Sequence, residues 1–409
     1  WLQSLKSWGL HESRGGSTRQ QIGSCISPRK LDLTLLPTEK CNFRCVYCYE
    51  EFEHGAMPPH VVEGVCNLIT RRAETGLENL SLSWFGGEPL LALKVVRAIS
   101  QHALLESERF RFKLRGGFTT NAYTLTTDLL AELVALKQSF FQITLDGWRD
   151  AHDSTRIRAD GKGTFDVIWR NLLAARDTKL DFRIALRLHI TNTNHSSLAT
   201  LCSAIGQEFG KDSRFHVDFQ DVRDMGGENG ARVSAVPANE FKMIKQHLRS
   251  MVKEGEPQVT MSEKPEIPLV IIGRATTTTA DNEINNIHPR GESAGSRFDY
   301  SDGEAYICYA AKPNHFLIRA NGRIGKCTVA LNDARNDLGF IRPDGTIAVN
   351  QDLARLWSRG LETLNQNTLG CPIQAWPTSS AASHTRQEPV IEAVRLYGNS
   401  GVSENEDRP

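Results

Sequence analysis

The chain has 409 residues, 40% of them hydrophobic, with 48 basic and 48 acidic side chains and a formal net charge of zero. That length accommodates two or more domains, and the balanced charge argues against a dedicated nucleic-acid binder, which carries a basic excess. No apolar run nears the roughly 18 residues of a membrane span, and the N-terminal WLQSLKSWGLHESRGG lacks the apolar core and cleavage site of a secretory signal. Nine scattered cysteines do not make a disulfide framework, and free thiols point to a reducing cytoplasm.

From about Leu31 to Val222, short β-rich runs alternate with helical patterns. The predicted strands are Leu31–Pro37, Asn79–Phe85, Lys113–Thr120, Phe140–Asp146, Arg183–Thr191 and Phe215–Val222. The predicted helices are Pro59–Arg72, Ala92–Glu106, Thr126–Leu136, Phe165–Thr178, Ser196–Phe209 and Glu240–Val252. Such alternation builds a parallel α/β sheet. Thr126, Thr127 and Asp128 supply caps just before the stripe Leu129, Leu130, Leu133.

Side-chain parity adds to this. Ile184, Leu186, Leu188 and Ile190 share one face, and Arg183, Arg187, His189 and Thr191 the other. Phe215, Val217 and Phe219 oppose His216, Asp218 and Gln220; Phe141, Ile143 and Leu145 oppose Gln142, Thr144 and Asp146. A parallel strand buried on both faces is normally a continuous apolar run. The repeated polar face therefore predicts a partly open barrel whose interior holds a polar ligand. A sheet with one wetted face is the competing reading, disfavoured because helix-length connections should cover the outside.

Periodicity dissolves over residues 257–304, apart from Ile267–Ile272, and this stretch is expected to be a linker or mobile loop. Order returns at Ala305, where Phe316–Ala320 and Arg323–Cys327 flank Asn321-Gly322, a type I′ hairpin signal. The expected organisation is an N-terminal extension (1–30), a barrel (31–256), the linker (257–304), a small C-terminal domain (305–377) and a polar tail (378–409) with a helical patch at Val390–Leu396.

Cys41, Cys45 and Cys48 form a CxxxCxxC loop directly after the first strand. Electron-transfer clusters use four cysteines, so three in one loop suggest a cubane with one iron open to another ligand. A zinc site would want a fourth ligand at finger-like spacing, and no CxxH or second CxxC lies nearby. This loop, with Tyr47 before its third cysteine and Trp84-Phe85-Gly86-Gly87-Glu88-Pro89 downstream, resembles the signature of the radical S-adenosylmethionine (SAM) superfamily. The resemblance implies a partial (β/α)6 TIM-like barrel, a 4Fe–4S cluster on Cys41, Cys45 and Cys48, and SAM chelated by the open iron. It also implies reductive cleavage of SAM to a 5′-deoxyadenosyl radical that abstracts hydrogen from substrate.

By the same resemblance, Gly86, Gly87, Glu88 and Pro89 hold the SAM ammonium; an ordinary Gly-Gly turn before a Pro-started helix is the plainer reading. Thr119, Thr120 and Asn121 end one strand and Thr144 and Asp146 another, positions from which the family contacts the nucleotide or the methionine carboxylate. Tyr47 is placed beside adenine or the cluster. Arg187 and Asp218 are the catalytic candidates on the interior face, Arg187 suiting a carboxylate; for Arg187 the alternative is an internal ion pair with Asp146 or Asp218. His152 reads equally as a structural or a functional histidine.

Cys308, followed after Gly322-Arg-Ile-Gly-Lys by Cys327, resembles the opening of a SPASM or twitch domain; with Cys371 these cysteines imply one auxiliary 4Fe–4S cluster, or else mere packing. Cys66 and Cys202 fall in helical patterns and read as buried free cysteines. The implied function is radical maturation of a ribosomally made peptide, with a carbon–carbon, ether or thioether crosslink as product. Alternatives are protein maturation of the anaerobic sulfatase-activating type, a small-molecule dehydrogenase or epimerase, and a non-catalytic iron–sulfur peptide binder. Expected partners are a precursor peptide, a reductant such as flavodoxin or ferredoxin, and a separate leader-binding protein, since 30 residues ahead of the barrel are too few for a leader-recognition domain.

Overall fold

The computed structural model describes residues 25–222, 236–252 and 307–376, with Gly23 and Asn229. The expected linker, the run Ile267–Ile272 within it, and the tail with its patch Val390–Leu396 lie outside the described residues. The strands are β1 (Lys30–Leu35), β2 (Phe43–Cys45), β3 (Asn79–Trp84), β4 (Lys113–Thr120), β5 (Gln138–Leu145) and β6 (Arg156–Arg158). They continue as β7 (Arg183–Ile190), β8 (Phe215–Asp221), β9 (His315–Ile318), β10 (Arg323–Gly325), β11 (Gly339–Ile341) and β12 (Ile347–Val349).

β1, β3, β4, β5, β7 and β8 pair in that order, all parallel, and are the strands expected from the sequence. Their connections are helices: Pro59–Glu74, Leu93–Phe110, Thr127–Ala135, Phe165–Arg176 and His195–Phe209. β1 and β8 do not pair, so the barrel stays open. Thr126 caps its helix as expected, its Oγ1 accepting from Leu129 N at 3.3 Å. The helix predicted to end at Glu106 runs to Phe110, where Arg111 turns left-handed (φ 58°).

The parity holds. Leu82, Trp84, Phe141, Ile143, Ile184 and Leu186 bury against Val65, Ile69, Val96, Ile99 and Leu133 of the covering helices. Each such aliphatic or aromatic side chain contributes roughly 1.5–3 kcal/mol on burial. The other face carries Ser83, Gln142, Thr144, Arg187, Asp218 and Gln220, also buried. Burying polar groups requires partners, and Arg187 finds one in Asp218, its Nη2 donating to Oδ2 at 2.9 Å.

The C-terminal segment continues this sheet. β9 adds parallel to the free side of β1, and β10, β11 and β12 follow antiparallel. The β9–β10 hairpin forms, but its turn is not type I′, which needs positive φ at both central residues. Only Gly322 (φ 82°) is left-handed there. Gly322 N donates to Arg319 O and Arg319 N to Arg323 O, both at 2.9 Å, giving a three-residue loop that ends in a glycine bulge.

Candidate functional site

The chain leaves β1 into a loop that carries all three leading cysteines and returns on itself. Thr38 bridges Ala56, and Met57 N donates to Pro37 O at 2.9 Å. Within the loop, β2 pairs antiparallel with β6, setting Cys45 opposite Arg156 and Phe43 opposite Arg158. The cysteines thus sit at the C-terminal edge of the parallel strands, where open α/β sheets bind ligands.

The loop after β3 packs directly beneath. Gly86 (φ 96°) lies so close that a Cβ would stand 2.4 Å from Thr38 O, and one on Gly87 would stand 2.5 Å from Lys40 O. Those contacts require glycine. Glu88 is fully buried, and its carboxylate serves the fold: it accepts from Leu90 N at 3.0 Å, Thr120 Oγ1 at 2.7 Å and Asn121 N at 2.7 Å. Pro89 begins the short 3-10 turn that Glu88 caps. Asn121 Nδ2 in turn donates to Asn42 Oδ1 at 2.8 Å, tying the end of β4 to the cysteine loop. Thr119, two residues before Asn121, is half-buried opposite Gln142.

Tyr47 is a hub. Its hydroxyl donates to Asp146 Oδ2, accepts from Arg156 Nη1 at 2.7 Å and lies 3.3 Å from His189 Nδ1. Thr155 Oγ1 donates to the same Asp146 oxygen at 3.0 Å, and His189 Nδ1 stands 3.2 Å from Oδ1. Burial opposes charge on Asp146, but His189 and Arg156 hold its carboxyl well below the usual range. His152 is structural. It is fully buried, takes Asp146 N on Nδ1 at 3.4 Å and meets Thr164 Oγ1 on Nε2 at 3.1 Å. Burial lowers it to about 4.

Arg187 and Asp218 face the interior as expected, and the internal ion pair is the arrangement they adopt. They are 4% and 5% exposed, so their charges are spent on each other, with Gln220 Nε2 donating to Asp218 at 2.9 Å. Thr144 lies on the same interior face, buried.

Burial pushes the Cys41 and Cys48 thiols up to about 12, and each trio member opposes ionisation of its neighbours. Burial also raises Cys45, while Arg156 beside it pulls the other way. Such thiols ligate by exchanging a proton for a metal. Inside the barrel, Gln142 Oε1 is buried without a hydrogen-bond partner among the described residues. A polar ligand such as SAM would satisfy it. The residues present therefore fit the group implied by the sequence.

The later cysteines also gather. Cys308 N donates to Leu369 O at 2.8 Å, beside Cys371. Tyr309 OH meets Thr328 Oγ1 at 2.9 Å, tying Cys308 to Cys327. Burial raises the Cys308 and Cys327 thiols, the latter to about 11, and each is raised further by Cys371. No motif points to Asn336, which takes Cys327 N at 3.0 Å and donates to Cys327 O at 2.8 Å. Tyr49 links the two regions: after burial and Glu50, both Cys48 and Cys327 push its phenol up. Cys66 and Cys202 lie on helices, away from both trios.

Residues 35–196 match the family described as the Radical SAM superfamily. A cysteine-type anaerobic sulfatase-maturating enzyme of Clostridium novyi (strain NT) is 26% identical over 178 residues, 41% of this chain and 46% of its own length. An uncharacterized Archaeoglobus fulgidus protein is 35% identical over 141 residues, 33% of this chain and 30% of its own. The chain thus spans half or less of these curated relatives. Native anSMEcpe with bound AdoMet superposes with a TM-score of 0.52 at 16% identity, over 79% of this chain and 80% of that one. Streptococcus suis SuiB bound to precursor peptide SuiA does so at 0.50 and 14% identity, over 89% and 71%. At those identities the likeness is one of fold. Since the matched span runs through the cysteine loop, Gly86–Pro89 and Asp146, this chain carries a radical SAM domain.

Proposed function

We propose that the protein is a radical SAM maturase acting on a peptide substrate. The observation that carries this reading is three half-buried cysteines on one loop, held at the mouth of a barrel whose interior is polar and incompletely satisfied. When bound, a 4Fe–4S cluster with SAM on its open iron supplies a 5′-deoxyadenosyl radical for hydrogen abstraction. Cys41, Cys45 and Cys48 are the ligands. Gly86 and Gly87 let backbone approach without side-chain interference, and Glu88 fixes that backbone through Leu90, Thr120 and Asn121. Tyr47, Asp146, Arg156 and His189 hold the loop against the strand ends, and the enclosing barrel keeps water from the reacting atoms. Cys308, Cys327 and Cys371 are proposed to hold one auxiliary cluster, with a fourth ligand other than cysteine.

A peptide substrate is supported by the shared fold with the peptide-bound SuiB structure, and a crosslink between two of its side chains is the product we favour. Maturation of a protein active-site residue is the second reading, favoured by the Clostridium novyi relative. Anaerobic incubation with SAM and dithionite tests the reading, with 5′-deoxyadenosine as the readout. The wild type is expected to release it, and a variant with Cys41, Cys45 and Cys48 all changed to Ala is not. Undiminished release from that variant would overturn the assignment.

A further inference from the structure

A cavity of about 210 Å3 lies where the chain leaves both cysteine regions, lined on one side by the residues after Cys48 and on the other by those after Cys327. Its walls combine apolar surface, from Phe52, Val329 and Leu331, with a concentration of carboxylates. Most of these acids are already matched. Glu39 takes Arg319 bidentately, at 2.9 and 2.8 Å, and Asp333 is held by Arg335 at 2.6 Å. Among the described residues, Glu51 accepts from a neutral amide, Asn332 Nδ2, at 2.7 Å. Glu50 is different. Its Oε2 is buried and has no hydrogen-bond partner among the described residues, and the residue lines the cavity.

A buried acid without a partner is costly, and it marks where a complementary group belongs. We propose that this cavity is a specificity site for a basic side chain, lysine or arginine, of the peptide substrate, with Glu50 as its counter-charge. The site rests on the peptide-maturase reading and adds the kind of residue the peptide carries. The lining suits an alkyl stem ending in a cation, since Phe52, Val329 and Leu331 can pack the stem and the buried Glu50 oxygen can accept from its charged end. A bare divalent cation suits it less. Glu39, Glu53 and His54 do converge closely enough for one, but the Arg319 guanidinium already occupies Glu39 and stands 3.4 Å from Glu53. Arg319 thus takes up the acids a metal would need and leaves the Glu50 oxygen as the acceptor for an incoming donor. The position also has a use, because a side chain anchored between Cys48 and Cys327 holds its backbone near the radical site.

The test uses anaerobically reconstituted protein and two probe peptides, Ac-Gly-Gly-Lys-Gly-Gly-NH2 and its norleucine analogue, with binding read by ligand-detected NMR. A charge-assisted contact predicts that the lysine peptide binds about tenfold more tightly than the norleucine peptide. Glu50→Gln should erase that difference while leaving norleucine binding where it was. Equal binding of the two peptides to the wild type would overturn the site without any variant being needed. So would tight Mn2+ binding that depends on Glu50 and is not displaced by the lysine peptide. Release of 5′-deoxyadenosine is scored separately. If it occurs without lysine preference, the site falls and the enzyme reading stands. If lysine preference appears without SAM cleavage, the binding site stands and the enzyme reading falls.

Discussion

The Tyr47 hydroxyl joins groups that are far apart in the chain: Asp146 after β5, Arg156 in β6 and His189 in β7. Tyr47→Phe would take the acceptor from Arg156 Nη1 in a buried place and leave Asp146 Oδ2 with Thr155 alone of its two donors. A loss of about 1–3 kcal/mol is expected, readable in urea unfolding of the anaerobic protein; a change within error would mean the network is loose. His152 sets a pH dependence. Its folded value, about 4, lies below its ordinary 6.5, so between these values the unfolded chain binds the proton and stability falls as pH falls. The full effect is on the order of 3 kcal/mol. His152→Gln removes it, so the stability advantage of the wild type over this variant should shrink between pH 7 and pH 4; a constant difference would contradict a neutral buried imidazole. The three leading cysteines were legible because ligands of one cluster crowd into one loop. The Tyr47 network was not, because spacing says nothing about which distant polar groups meet. The internal use of Glu88 was hidden for the same reason.

At the scale of elements, period-two patterning placed the six strands of the barrel, because each has one apolar face packed against helices. The β2–β6 ladder escaped, since three-residue strands carry no readable period. The hairpin at Asn321-Gly322 was legible as a turn but not as its type, which depends on backbone angles that one dipeptide does not determine. Two element junctions are testable. Gly87→Ala would drive a Cβ against the carbonyls of Lys40 and Glu39, 2.5 and 2.6 Å away, so the loop after β3 must move off the cysteine loop. Reduced iron retention and a lower melting temperature are expected; normal iron content would show that the two loops need not touch. Glu88→Ala would strip three buried donors of their acceptor, each worth about 1–3 kcal/mol if left unmet. Failure to accumulate folded protein, with partial recovery in Glu88→Gln, is the expected outcome; a stable Glu88→Ala would show the donors find other partners.

Across the whole molecule, a single sheet order runs from β12 through β9 and β1 to β8, so the later cysteines are carried on an extension of the barrel itself. That continuity was not visible in the sequence, because β9 pairs with β1 across most of the chain, Asp32 with His315. It brings Cys308, Cys327 and Cys371 together within reach of Tyr49, and hence of Cys48. Among the described residues, no helix is long and apolar enough to cross a membrane. If both trios hold cubanes, anaerobically purified protein should contain about eight irons per chain, falling to about four when Cys308, Cys327 and Cys371 are replaced by Ala. Four irons in both proteins would leave the later cysteines as packing residues. That Ala variant also isolates the central claim, that the Cys41 loop holds a cluster with one iron open to SAM. Electron paramagnetic resonance of its reduced cluster, recorded with and without SAM, is the most direct measurement. Ligation by SAM predicts that the signal shifts on addition and that replacing Cys41 removes the signal. A reduced cluster whose spectrum is identical with and without saturating SAM would contradict it.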